Sequence, residues 1–268
     1  MFKTAQRRFS QYSATGNTFV LLDNRKDPLA RPQESARELC GRLGVDGMQL
    51  IEDSAKAEMR MRIVNRDGSE ASMCGNGSRA AAHWAHTEMK LPQDFTIETE
   101  AGLIRAHVDG DIAKVRLTDP KDFKRVDGLD VPGAMDGIYF VNTGVPHLVT
   151  EFADLAHVNI HELGQTIRYH EKFKPAGTNA SFFQVLGPGH IRVRVYERGV
   201  EAETQSCGTG SSACAIVAAK KYRYASPVAV KVESGDELRI YFEATAEGFK
   251  DVNLEGTVRC LKKGVIAL

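Results

Sequence analysis

Two stretches decide how this chain is read: "SMCGNGSRAAAHW" at 72–84 and "QSCGTGSSACAIV" at 205–217. Each places a cysteine directly before Gly-x-Gly-Ser and then enters a run of small residues with helical character. Cys74 and Cys207 lie 133 residues apart in a chain of 268, so the spacing is close to half its length. Upstream, "MRMRIVNR" (59–66) matches "IRVRVYER" (191–198) in pattern at an offset of 132, and "TGNTFV" (15–20) matches "TGVPHL" (143–148) at an offset of 128. Three matches in one order at nearly one offset identify an internal duplication.

Each half then reads the same way. Met59, Met61 and Ile63 alternate with Arg60 and Arg62, and Ile191, Val193 and Val195 alternate with Arg192 and Arg194. That period of two predicts a strand with one buried and one solvated face. A glycine loop and a helix follow, over about 76–90 and about 209–222. The alanines surrounding both helices predict that each is enclosed by protein. Further strands read from "FTIETE", "LIRAHV" and "AKVRLT" in the first half and from "VAVKVE", "ELRIYF" and "VNLEGTVR" in the second. The expected fold is α/β (α+β) with two pseudo-symmetric domains, each a barrel-like sheet around a central helix, and an active site in the cleft between them. The Gly-, Asp- and Pro-rich segment 125–137 sets the expected boundary, giving domains 1–130 and 131–268.

Composition narrows the function. Lys plus Arg and Asp plus Glu each number 35, which gives no electrostatic reason for a nucleic acid or an anionic membrane as partner. No apolar run approaches the length of a membrane span. The opening "MFKTAQRRFSQYS" is basic and free of acids, as transit peptides are, but from Arg7 it already alternates like a first strand. Five cysteines at irregular spacing do not form a secreted disulfide framework. The expectation is a soluble, cytoplasmic protein acting on a small molecule.

A helix start offers unpaired N–H groups and the positive end of a dipole, which favour a thiolate and can hold a carboxylate. Two such thiols on opposite faces of one carbon form an acid/base pair able to invert a stereocentre with no cofactor. Cys40, Cys214 and Cys260 lack this context and read as core or incidental thiols. No metal-ligand spacing occurs, so no metal is expected. The rival reading is a dinucleotide fingerprint, because "GNGSRA" and "GTGSSA" both satisfy Gly-x-Gly-x-x-Ala. That fingerprint needs a strand running straight into its first glycine, and here the preceding strands end near Asn65 and Glu197, about ten residues early.

These motifs, together with "TGNTFVLLD", "ETEAGLIRA", "NTGVPHLV", "PAGTNASFFQV" and "YERGVEAETQSCGTGSSA", resemble the diaminopimelate epimerase family from about Phe9 to about Gly264. The resemblance implies epimerisation of LL- to meso-diaminopimelate without cofactor, in lysine and peptidoglycan precursor synthesis, by an enzyme that commonly forms homodimers. It implies Cys74 and Cys207 as the acid/base pair, with His147 and Glu197 setting their protonation. Asn17, Asn65, Asn179, Glu197 and Arg198 would bind substrate, and Arg198 would take the distal carboxylate. The N–H groups around Gly75, Asn76, Gly208 and Thr209 would hold the reacting one. Val145 and Thr18 depart from the family pattern and bear on which amino acid is turned over. The alternatives are a racemase of another amino acid such as histidine, and an amino-acid-binding protein without turnover.

Overall fold

A computed structural model describes residues 6–268 of the chain; the five residues that open the basic N-terminal segment lie outside the described residues. The chain divides into two compact units, Met1–Val115 with Gly256–Leu268 and Arg116–Glu255.

In the first unit, β1 (Gln6–Ala14) and β2 (Asn17–Asp23) form a hairpin. Thr15 and Gly16 turn it, both at positive φ (53° and 88°), as a two-residue turn matched to strand twist requires. The segment expected to open the fold as one strand is therefore two. Helix α1 (Pro32–Leu43) starts with proline at its first turn and ends on Gly44 in the left-handed region, where a side chain would be strained. Next come β3 (Gly47–Glu52), parallel to β2, and β4 (Met59–Asn65), antiparallel to β3. A two-residue strand β5 (Glu70–Ala71) leads into α2 (Gly75–Glu88). Then β6 (Asp94–Thr99) pairs parallel with β4, followed by β7 (Gly102–Asp109) and β8 (Ile112–Arg116).

The second unit repeats that order of pairings. Strands β9 (Lys121–Arg125), β10 (Tyr139–Asn142) and β11 (Pro146–Glu151) are antiparallel neighbours. Helix α3 (Ile160–Arg168) is capped by the Asn159 side chain, which accepts from the Glu162 N–H. It precedes β12 (Asn179–Gly187), parallel to β11, and β13 (His190–Glu197), antiparallel to β12. Short β14 (Ala202–Thr204) leads into α4 (Gly208–Tyr222), β15 (Val228–Lys231) pairs parallel with β13, and β16 (Glu237–Thr245) follows. The 20-residue β17 (Gly248–Ala267) ends the chain. Its last stretch pairs with β1, from Val258–Ala14 to Ala267–Gln6 with Leu261 bulged out, and the Val258 N–H meets the Asp111 carbonyl at 2.8 Å.

That pairing moves the domain boundary. The units separate between Val115 and Arg116, and the C-terminal strand returns to the first unit, whereas the composition of 125–137 had suggested a single cut at 130/131. The segment between β9 and β10 is a loop inside the second unit.

The core explains why the Ala-rich helices need small residues all round. Every residue of α2 from Gly75 to Ala85 is buried, and α2 packs against β1, β2, β3, β4 and β7 of its own unit. In α4, Gly208 and all residues from Gly210 to Ala219 are buried, among β10, β11, β12, β13, β15 and β16. Strands that touch a helix on each face read as continuous apolar runs: β2 lies between α1 and α2, and Phe19–Leu22 are all buried. The outer helices were not read from the sequence. Helix α1 sets Ala36, Leu39 and Cys40 against Val20, Leu22, Met48, Leu50 and Val64. Helix α3 sets Ile160 and Ile167 against Leu148, Phe182 and Tyr196.

The arginine rows of β4 and β13 are not simply solvated. Arg62 bridges Glu52 and Glu70 at 3.2 and 2.6 Å, and Arg194 makes a two-pronged pair with Glu203 at 2.7 Å on both prongs. The Arg194 side chain is 14% exposed, and pairing of this kind is what allows a guanidinium that degree of burial. No helix among the described residues is long and apolar enough to cross a membrane.

Candidate active site

Both cysteines are helix N-caps. Cys74 has extended backbone (φ −147°) immediately before α2, and its Sγ accepts from the Gly77 N–H at 3.4 Å. Cys207 stands in the same place before α4 (φ −122°). The first bonds of the two helices run from Ser78 to the Cys74 carbonyl and from Ser211 to the Cys207 carbonyl, both 2.8 Å. The N–H groups of Gly75, Asn76, Gly208 and Thr209 thus come before the intrahelical ladder, where helix starts receive anions.

Strand register shows how the duplication placed different side chains on one frame. In the first unit Phe19 pairs with Gly47, and Gly47 with Asn65. In the second, His147 pairs with Asn179, and Asn179 lies one residue before the Ala180–Tyr196 pair, opposite Glu197. Position by position, Phe19 corresponds to His147, Gly47 to Asn179 and Asn65 to Glu197. The second unit has a polar row where the first has an aromatic ring, a glycine and an amide.

In the second unit that row meets the thiol. His147 is fully buried; its Nδ1 lies 2.8 Å from Ser181 Oγ and its Nε2 3.0 Å from Thr209 Oγ1. Thr209 Oγ1 is in turn 3.4 Å from Cys207 Sγ. Burial, with the nearby Arg198 charge adding to it, pushes the His147 pKa down to about 3, so the ring is neutral at pH 7. Glu197 accepts a hydrogen bond from the Thr204 hydroxyl at 2.5 Å and from the Cys207 thiol. Burial raises its pKa above the usual carboxylate range, and those two hydrogen bonds pull it back. Cys207 therefore stands between a carboxylate on one side and a hydroxyl backed by a neutral imidazole on the other. Asn179 Oδ1 accepts from the Arg198 N–H at 2.7 Å, and its Nδ2 donates to the Pro146 carbonyl at 2.8 Å. The Arg198 guanidinium donates to the Ala176 carbonyl at 3.2 Å and has no carboxylate in salt-bridge range among the described residues.

The first unit surrounds Cys74 differently. Asn76, 2% exposed, donates to Asn17 Oδ1 at 2.5 Å and accepts from the fully buried Arg79 at 2.7 Å; Arg79 also donates to Thr15 Oγ1. This chain fixes which way the amides of Asn76 and Asn17 face. Asn65 ends β4 with its amide donating to Ser69 Oγ at 3.0 Å. Thr18 donates twice to Asp46 Oδ2, from its N–H at 2.8 Å and its hydroxyl at 3.1 Å. Its departure from the family pattern thus serves to anchor β2.

One residue was missed in the sequence. Gln49 is completely buried, and neither amide atom has a hydrogen-bond partner among the described residues. Its Nε2 lies 2.6 Å from where a Cβ on Gly77 would be, beside the Cys74 side chain. The signal was present: Gln49 is the one polar residue between Gly47 and Ile51 in a strand buried on both faces, and the repeat aligns it with Ser181. The other thiols are unlike the two caps. Burial drives the Cys40 pKa to about 11 and raises that of Cys214 further, while Cys260 is exposed. No cluster of metal-ligating side chains occurs among the described residues.

The family model and the curated relatives point to one family, and the solved structures share its fold. The family model described as diaminopimelate epimerase matches residues 9–121 and 139–253. The diaminopimelate epimerase of Aquifex aeolicus (strain VF5) is 40% identical over 270 residues, spanning 93% of this chain and 94% of that protein. That of Chlorobaculum tepidum is 36% identical over 263 residues, spanning 96% of this chain and all of the relative. Among solved structures, a Bacillus anthracis phenazine biosynthesis protein of the PhzF family has a TM-score of 0.77 at 18% identity, covering 98% of this chain and 100% of that one. A hydroxyproline epimerase from Agrobacterium vitis has a TM-score of 0.70 at 14% identity, covering 100% and 94%. At such identities the two structures show a shared fold.

Proposed function

The chain belongs to the diaminopimelate epimerase family, and we propose that it interconverts LL- and meso-diaminopimelate through Cys74 and Cys207. One thiolate takes the α-proton and becomes a thiol. The other thiol gives its proton to the opposite face of the α-carbon and becomes a thiolate, so the pair ends with its protonation exchanged. The observation that carries this reading is that each repeat N-caps its buried helix with one cysteine. The early N–H groups of α2 and α4 supply donors for the α-carboxylate, whose negative charge grows as the carbanion forms.

The surrounding residues fit these roles. Glu197 accepts from the Cys207 thiol and Thr209 Oγ1 lies 3.4 Å from its sulfur, so the two orient it, while neutral His147 holds Thr209 without adding charge. Arg198, a cation with no ion-pair partner among the described residues, suits the distal carboxylate, and its planar fork favours two-pronged contact. Asn17, Asn65, Asn179 and the Gln49 amide, which has no hydrogen-bond partner among the described residues, supply donors and acceptors for the amino and carboxyl groups. The product feeds lysine and peptidoglycan precursor synthesis.

Incubation with LL-diaminopimelate in deuterated water tests the reaction. Deuterium should enter the α-carbon as the meso isomer accumulates. Absence of both exchange and inversion would sink the activity. Equal turnover of free histidine would keep the chemistry and discard the named substrate.

A further inference from the structure

Two loops of the second unit hold Arg198, and one other side chain ties them together. The loop after β13 carries Arg198 itself, and the loop before β12 supplies the Ala176 carbonyl to its guanidinium at 3.2 Å. Arg168, in the last turn of α3 and 16% exposed, donates from Nε to Glu201 Oε1 at 3.0 Å and from Nη1 to the same Ala176 carbonyl at 3.4 Å. Glu201 Oε1 also accepts from the Gly199 N–H at 3.0 Å, and its Oε2 lies 3.5 Å from the Tyr196 hydroxyl. Two backbone features are shaped to this contact. Glu201 has φ 57°, a left-handed conformation costly for a residue with a Cβ. Gly177 has φ 69°, and a Cβ there would lie 1.8 Å from Arg168 Nη1.

We propose that Arg168, neutralised by Glu201, is a positioning residue that sets the guanidinium of Arg198 for the distal end of the substrate. The physical logic is one of charge and geometry. Two guanidiniums share one carbonyl, so they repel. Glu201 cancels the charge of Arg168 and leaves Arg198 as the cation able to accept a carboxylate. Arg168 also pins Ala176 and, through Glu201, Gly199, fixing both loops that bear on Arg198. Removing it frees the loops to shift relative to each other, and misplacement by about an ångström costs up to about 100-fold in an oriented site.

This inference rests on the reading that Arg198 binds the distal carboxylate, so the test separates the two. Steady-state kinetics with LL-diaminopimelate are measured for R168Q, R168K, E201Q, R198A and R168Q/R198A, each checked for folding by thermal unfolding. R168Q should raise KM about tenfold with kcat within about threefold, a binding loss of about one decade. R168K should fall between, because a point charge reaches Glu201 but lacks the fork that spans to Ala176. R168Q should add nothing in the R198A background. An unchanged KM in R168Q, or the same rise with and without Arg198, overturns the proposal. R198A with unchanged KM instead overturns the carboxylate reading. The positioning claim is then decided by a crystal structure of R168Q, in which an Arg198 guanidinium still seated on the Ala176 carbonyl would refute it. If R168Q does not fold, E201Q carries the test: it keeps the shape, strips the countercharge and should raise KM in the same direction, whereas an unchanged KM overturns the proposal.

Discussion

Lowering the pH should unfold this protein partly through one imidazole, because His147 must gain a proton when the chain opens. Its folded pKa is depressed to about 3 by complete burial and the Arg198 charge, while an exposed histidine titrates near about 6.5. Between those values the unfolded state binds the proton and the folded state does not. Stability from this group is therefore intact above about pH 6.5 and falls as pH drops toward about 3. The full difference is about 5 kcal/mol at 1.36 kcal/mol per unit, and about 3 kcal/mol of it has been lost by pH 4. Glu197, whose folded pKa is raised by burial, acts in the opposite sense and gains as pH falls, so total stability alone would not isolate the histidine. His147→Gln does isolate it: the amide reaches toward Thr209 as Nε2 did, and it does not titrate. Urea unfolding of wild type and variant at pH 7 and pH 4 gives two losses, and the wild-type loss should exceed the variant's by about 3 kcal/mol. A nitrogen-15 titration of the ring checks the cause directly. Equal losses in the two proteins, or a ring titrating near 6.5 in the folded state, would refute the reasoning.

Cys74→Ala and Cys207→Ala should each abolish inversion, since each removes the acid or base from one face; near-normal turnover in either, measured by circular dichroism of the product mixture, ends the two-thiol mechanism. Glu197→Gln should cut kcat by about 10² or more. It should also make Cys207 alkylate faster with iodoacetamide at pH 7, because the amide holds the thiol proton less strongly than the carboxylate that accepts it; slower alkylation would mean that Glu197 is not the group restraining that thiol. Gly210→Ala sets a Cβ 2.8 Å from Val195 Cγ2, 3.2 Å from Ser181 Oγ and 3.3 Å from His147 Cε1. The variant should lose about 1–3 kcal/mol in urea unfolding, and unchanged stability would show that α4 can move away from the His147–Ser181 pair at no cost.

Much of the fold was legible because its signals are local. Alternation in "MRMRI" and "IRVRV" is set by the two-residue pleat, and a cysteine before Gly-x-Gly and an alanine run marks a helix start without reference to the rest of the chain. Register between adjacent strands then made the duplication exact, with Gln49 opposite Ile63 and Ser181 opposite Val195. The outer helices α1 and α3 also carry local signals, Pro32 and Gly44 for one and the Asn159–Glu162 cap for the other, but neither belongs to the cysteine repeat.

Other features depend on residues far apart in sequence, and composition could not supply them. The boundary followed the Gly- and Pro-rich loop in the sequence reading, whereas the actual division is set by Val258–Ala267 pairing with β1, roughly 250 residues away along the chain. Even at short separation, pairing escaped the pattern: the arginines of β4 and β13 alternate like solvated residues, but Glu52, Glu70 and Glu203 reach them from the neighbouring strands β3, β5 and β14, which register and not alternation decides. The strands and inner helices of each repeat, and the two thiols at equivalent helix starts, are legible in the residues alone, because backbone periodicity and capping act within a few residues. The neutral state of His147, the seat of Glu197 against Cys207, the burial of Gln49 and the contacts of Arg168 come from the packing of distant segments, because burial and charge at a side chain are set by whichever parts of the chain surround it.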